Sequence, residues 1–143
     1  MNTAAQEVSQ PLTVFKKLKF LEIFKDEENQ CIYANWKGIP SVEEVKTGVE
    51  MVLEAMVNYQ LFTVLNDNRE LQGTWTGAME WIVNDWMPRA IEAGYKGIAY
   101  IYSKDVFARF SVDSLLKQTV EKGPVKQKPF KDIEEAKNWL KTI

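Results

Sequence analysis

The stretch 61–88 constrains this chain most. A short apolar run, Leu61-Phe62-Thr63-Val64-Leu65, passes through a polar segment into a Trp-rich helical pattern. The run has no polar alternation, so as a strand it needs cover on both faces, the situation of a central strand in an α/β sheet. Asp67-Asn68-Arg69-Glu70 then reads as a polar turn, followed by Gly73. A helix is expected from near Thr76, with Met79, Ile82, Val83, Trp86 and Ala90 on its core face. Pro88 falls inside that pattern. It has no N–H and its ring crowds the preceding turn, which predicts a kink or break at about Trp86-Met87. Gly94 is a natural stop. In open α/β domains, ligands bind where such a strand leaves the sheet for a helix.

The rest of the chain supplies matching elements. Leu18 to Phe24 and Cys31 to Trp36 read as strands joined across Asp26-Glu27-Glu28-Asn29, an antiparallel hairpin. Ser41-Val42-Glu43-Glu44 is a capping box opening a helix to about Asn58, with Val42, Val45, Val49, Val52, Leu53 and Met56 on one face. Gly97 to Tyr102 is the next strand. Asp105 is placed to cap a short turn over Val106 to Phe110, and Ser111 to cap a further helix with Val112, Leu115 and Leu116 inward. After Gly123-Pro124, Val125 to Phe130 reads as a Lys-rich edge strand. Asp132-Ile133-Glu134-Glu135 opens a last helix burying Ile133, Ala136, Trp139 and Leu140. The expected fold is one α/β domain over residues 13–143 behind a loose tail, residues 1–12. Its element order is β-β-α-β-α-β-α-β-α, with a mixed, mostly parallel sheet of about five strands.

Composition removes whole classes of chemistry. The net charge is −2, with no basic stripe to drive nucleic-acid binding. There is no histidine and one cysteine, Cys31, in an apolar run. That rules out an internal disulfide, Cys/His zinc sites and triads with a histidine base. Cys31 reads as a small buried hydrophobe. No metal or cofactor is expected. The first residues lack the basic-then-apolar pattern of a signal peptide, and no run reaches the length of a membrane span, so the expected location is cytoplasmic.

The closing segment Pro129-Phe130-Lys131-Asp132-Ile133-Glu134-Glu135-Ala136-Lys137-Asn138-Trp139-Leu140 is a strand ending in an aromatic, then a short helix with an Ala and a Trp-Leu pair. Together with the order of elements over about residues 18–143, it resembles the STAS domains, including the bacterial anti-sigma-factor antagonists, and the related SEC14-like small domains. In the antagonists, the junction after the third strand carries an Asp-Ser-Ser-Gly type motif. Its serine is phosphorylated by a partner kinase, and the phosphate blocks binding. The corresponding place here holds Thr74-Trp75-Thr76-Gly77, where Thr76-Gly77 resembles the Ser-Gly pair. The acidic residue is absent, a Trp is inserted and the preceding loop is longer. The resemblance implies Thr76 as phosphoacceptor, with Thr74 beside it. The bland reading of Thr76 is a helix N-cap whose hydroxyl accepts a backbone N–H.

The candidate surface is therefore the junction Asp67–Gly77 with the adjoining loop Ser103–Phe110. Trp75 and Phe107 are expected to supply anchoring area, Asp67, Asn68 and Arg69 orientation, and Tyr102 and Phe110 the side of a cleft. Trp81 and Trp86, five residues apart, project to different helix faces. The first function expected is a non-catalytic regulatory or protein-interaction module acting on a protein partner, with a homodimer plausible. The alternative is a domain binding an apolar small molecule or lipid, as the SEC14-like side of the resemblance implies. An enzyme is third, since the carboxylate pair in Asp67-Asn68-Arg69-Glu70 could in principle do acid–base work.

Overall fold

A computed structural model describes residues 12–120 and 123–143. Six strands form one sheet in sequential order: β1 (Leu12–Lys17), β2 (Leu21–Asp26), β3 (Cys31–Gly38), β4 (Thr63–Leu71), β5 (Gly97–Ile101) and β6 (Lys126–Phe130). β1, β2 and β3 pair antiparallel, and β3 through β6 run parallel. The α/β class and the mixed sheet are as expected, but the described residues form six strands rather than about five. The extra one, β1, occupies Leu12 and the residues after it. The rest of the expected tail, residues 1–11, lies outside the described residues. β1 is an edge strand with almost no buried position, so it carries no alternation to read.

Four helical segments cover the sheet. α1 is Val42–Tyr59, and the Ser41 capping box forms in both directions. α2 is a composite run, 76–93, described below. α3 is Val106–Thr119 and α4 is Ile133–Leu140. Asp105 caps α3, and Ser111 lies within that single helix instead of starting a new one. Its hydroxyl donates to the carbonyl of Phe107, four residues earlier.

Sequential parallel strands joined by right-handed crossovers send every connecting helix to the same face. α1, α2 and α3 accordingly pack on one face, over Ile23, Ile32, Trp36, Val64 and Ile98. The opposite face carries a smaller core in which α4, through Ala136 and Leu140, meets Cys31, Leu65 and Ile101. Cys31 is fully buried there, and burial pushes its thiol up to about 12. Two layers of unequal depth result, and the deep one holds the cavity.

α2 begins as a 3-10 turn, Thr76–Ala78, becomes α-helical over Met79–Trp81, widens to a π turn over Ile82–Trp86, and resumes as α-helix over Met87–Ala93. The break expected from Pro88 takes this form. The Met87 N–H reaches back five residues to the Ile82 carbonyl, so the helix widens just before a residue that cannot donate. Trp86 is buried, whereas Trp81 is half-buried beneath the cations of Lys46 and Arg89.

Candidate functional site

β4 decides the site, because it is longer than its apolar run. It continues to Leu71, so Asp67-Asn68-Arg69-Glu70 is strand, where a polar turn was expected. Successive side chains in a strand alternate between faces. Asp67 therefore points to the α4 side, and Asn66 and Asn68 to the side of α1, α2 and α3. The β3–β4 register advances two residues on β3, Asn35 to Lys37, against three on β4, Asp67 to Glu70. This bulge resets the alternation. Glu70 stays exposed and Leu71 turns inward to 3% exposure; without the extra residue, a carboxylate would point into the apolar layer.

On the α4 side, the Asp67 carboxylate is almost fully buried. It accepts from the Arg69 Nε (2.9 Å), the Arg69 Nη2 (2.7 Å), the Arg69 backbone N–H (3.1 Å) and the Tyr33 hydroxyl (2.7 Å). Burial works to raise its pKa, but these donors outweigh it and hold the carboxyl below its usual value. Burial and the neighbouring carboxylate push the Tyr33 hydroxyl the other way. Asp67 and Arg69 thus satisfy each other in an internal pair.

This pair makes stability acid-sensitive. A carboxyl whose folded pKa is depressed contributes stability in full above its unfolded value of 3.8, and the contribution is lost as pH falls through the lower folded value. Asp67→Asn is expected to lower stability at pH 7 by about 2 kcal/mol, the scale of hydrogen bonds to a charged group. It should also give a shallower loss of stability below about pH 4. Urea unfolding of both proteins from pH 7 to pH 2 measures this. Parallel pH curves would remove Asp67 as the acid-sensitive group.

On the other side, a partly enclosed cavity of about 70 Å³ lies between the sheet and the three helices. That is about five to seven times the space one buried water requires. Trp36, Trp75, Trp86 and Tyr100 are among its walls, with Val45, Val49, Val52, Val64, Ile82, Ile98 and Leu115. Among the described residues, no carboxylate, lysine or arginine lines it. Its polar groups are the amides of Asn66, Asn68 and Gln127, the hydroxyls of Tyr95 and Tyr100, and the indole N–H groups of Trp36, Trp75 and Trp86, of which Trp36 donates to Asn66 and Trp86 to the Val49 carbonyl. Burial raises both tyrosine pKa values, so both hydroxyls are neutral. The π turn of α2 presents Ile82 and Trp86 to the cavity. Such turns recur at functional sites.

The two loops expected to form one surface are tied together. The Gly73 N–H donates to Asp105 Oδ2 (2.7 Å), the Ser103 hydroxyl to the Leu71 carbonyl (2.6 Å), and the Trp75 N–H to Ser111 Oγ (3.1 Å). The positive φ of Gly73, 77°, lets the chain make this turn. The junction divides differently from the expectation, however. Trp75 is only 9% exposed and lines the cavity, so it is no exposed anchor. Asn68 faces the cavity, while Asp67 and Arg69 lie behind the sheet. Tyr102 is half-buried and donates to Asp113. Phe107 and Phe110 stand exposed at 62% and 60%, beside Val106. Thr76 does not cap the helix: its hydroxyl takes no backbone N–H, and instead Thr74 Oγ1 accepts from the Thr76 N–H (3.2 Å). Both threonines are exposed.

Trp36, Asn66, Tyr95, Tyr100 and Gln127 belong to the site without having been anticipated. One signal for them was present. Asn66 and Asn68, two residues apart after an apolar strand, place two amides on one face if the strand is carried on. Among the described residues, no group of three or more His, Cys, Asp or Glu side chains is arranged to hold a metal, and no helix is long and apolar enough to cross a membrane. No family model, curated protein or solved structure matches the chain.

Proposed function

We propose that this domain binds a small, largely apolar molecule in the cavity between β3–β6 and the helices α1, α2 and α3, without transforming it. The observation that carries the reading is the wall itself: aromatic and aliphatic side chains, a few amides and hydroxyls and, among the described residues, no charge. Ligand sites have this composition, mostly apolar with a few placed polar groups. Acid–base work needs a group that titrates near neutrality, and the two titratable side chains on this wall, Tyr95 and Tyr100, have raised pKa values. The reading takes up the SEC14-like side of the resemblance.

A second reading, a STAS-like interaction module, draws on one observation of its own. Val106, Phe107 and Phe110 form an exposed apolar group at the start of α3, tied through Asp105 and Ser111 to the loop that carries Thr74 and Thr76. A phosphate on either threonine would sit beside that group and alter its partner.

Native mass spectrometry of the protein purified from its own host tests the first reading. The expected spectrum has a non-covalent adduct of small-molecule mass, which Leu115→Phe, a change that narrows the cavity, reduces or removes in a folded protein. An adduct unaffected by Leu115→Phe would place the ligand elsewhere. A bare chain with a phosphate-sized increment mapped to Thr74 or Thr76 would favour the second reading.

A further inference from the structure

We infer that the molecule this cavity accepts is neutral and presents a hydrogen-bond acceptor of the carbonyl type to the side-chain amide of Asn68. The inference rests on the ligand-binding reading and specifies its chemistry. It follows from a chain of hydrogen bonds whose direction is fixed at one end. The Trp36 indole can only donate, and its Nε1–H donates to Asn66 Oδ1 (3.0 Å). That orients the Asn66 amide, whose Nδ2 donates to Asn68 Oδ1 (3.0 Å). Asn68 is oriented in turn, and its own NH2 is left at the end of the chain. No acceptor for that NH2 exists among the described residues, although Asn68 is only 2% exposed. The nitrogen is not sealed in either: the one described side-chain N or O atom that is both inaccessible and unpartnered is Asn35 Oδ1. Asn68 lines the cavity, so the donor opens onto it.

An unpaired buried donor is costly, and a ligand acceptor placed there recovers that cost on binding. Each bond in such a chain also polarises the next, which strengthens the terminal donor. An anion could accept as well, but it would enter a space with no cation among the described residues of its wall. The nearest guanidinium in sequence, that of Arg69, lies behind the sheet and is engaged by Asp67. Burying an unpaired charge costs far more than one hydrogen bond returns, so the ligand is uncharged. A second unpartnered group tolerates either polarity. The Tyr95 hydroxyl, on a residue 4% exposed, has no partner among the described residues and can donate or accept. The Trp75 indole N–H, also on the wall and without a partner among the described residues, can only donate and so asks for an acceptor as Asn68 does. These donor-only groups, Asn68 the more buried of the two, are the ones that discriminate.

The test titrates three probes of one shape into 15N-labelled full-length protein: acetophenone, its hydrocarbon isostere α-methylstyrene, and benzoate. The NMR signals followed are the Asn68 side-chain amide and the Trp36 and Trp86 indoles. Acetophenone is expected to shift the Asn68 and Trp36 signals and to bind about tenfold or more tightly than α-methylstyrene, as one satisfied buried donor allows. Benzoate should leave the spectrum unchanged. In Asn68→Leu the two neutral probes should bind alike; if that variant does not fold, the wild-type series decides alone. Equal binding of the two neutral probes to wild type would overturn the acceptor while leaving the cavity a ligand site. Benzoate binding as tightly as the ketone would overturn neutrality. Binding of none would overturn the ligand-binding reading itself, and this inference with it.

Discussion

Trp86→Ala is expected to lower the stability of this domain by about 3–5 kcal/mol, the range for truncating a buried Trp. At this chain length that corresponds to a fall in Tm of roughly 10–20 °C. Trp86 is 6% exposed, its Nε1 donates to the Val49 carbonyl (2.9 Å), and its ring meets Tyr95 edge-on at 5.5 Å. The indole therefore joins α1, α2 and the segment before β5. One feature pushes the loss toward the upper end. The space vacated adjoins a cavity already present, so neighbouring side chains cannot collapse into it cheaply. Trp86→Phe keeps most of the ring and forfeits the bond to Val49, so about 1–2 kcal/mol is expected. Urea unfolding followed by circular dichroism measures both. A loss below about 1 kcal/mol for the alanine variant would mean that α2 rewinds to regular helix and refills the gap.

Gly48→Ala is the second change expected to weigh heavily, against its usual sign. In an exposed helix interior, the replacement gains about 1 kcal/mol in propensity. Gly48 lies on the buried face of α1, where it lets the helix lie close against the sheet. A Cβ added there would come within 2.4 Å of Trp36 Cη2 and 2.9 Å of Leu21 Cδ2. The indole cannot simply swing aside, because its N–H is held by Asn66. Either α1 lifts or that bond breaks. Overpacking of this kind costs about 1–3 kcal/mol and outweighs the propensity gain. Gly48→Val adds two more methyl groups in the same place and is expected to lose over about 3 kcal/mol. The Trp36 indole proton should also shift as its bond to Asn66 weakens. A Gly48→Ala protein more stable than wild type, with the indole signal moved, would show the ring entering the cavity instead.

Both arguments turn on contacts that no local pattern announces. The hairpin of β2 and β3 was legible from its alternation, and α1 from Ser41-Val42-Glu43-Glu44 and the apolar stripe behind it. Pro88 announced a disturbance in α2 but not its form, because a missing N–H can be met by a kink, a break or a π turn. β1 was not legible: an edge strand with few buried positions leaves no period. The polarity of Asp67-Asn68-Arg69-Glu70 read as a turn because exposed polar runs usually are one. Here the polarity has a different origin, since one carboxylate is satisfied behind the sheet by Arg69 and Tyr33 and one amide oxygen, that of Asn68, in front of it by Asn66.

From the sequence alone come the α/β class, the mixed sheet and the place where the chain passes from β4 to α2. Period, caps and breakers act within a few residues and are written in local chemistry. Only the tertiary structure decided that β4 runs on to Leu71, that a bulge turns Glu70 out and Leu71 in, and that Trp75 lies in the wall instead of on the surface. The cavity draws on four strands, three helices and the loops between them. Its shape depends on how closely those elements approach, and that distance is set by side chains far apart in the chain, such as Gly48 and Trp36.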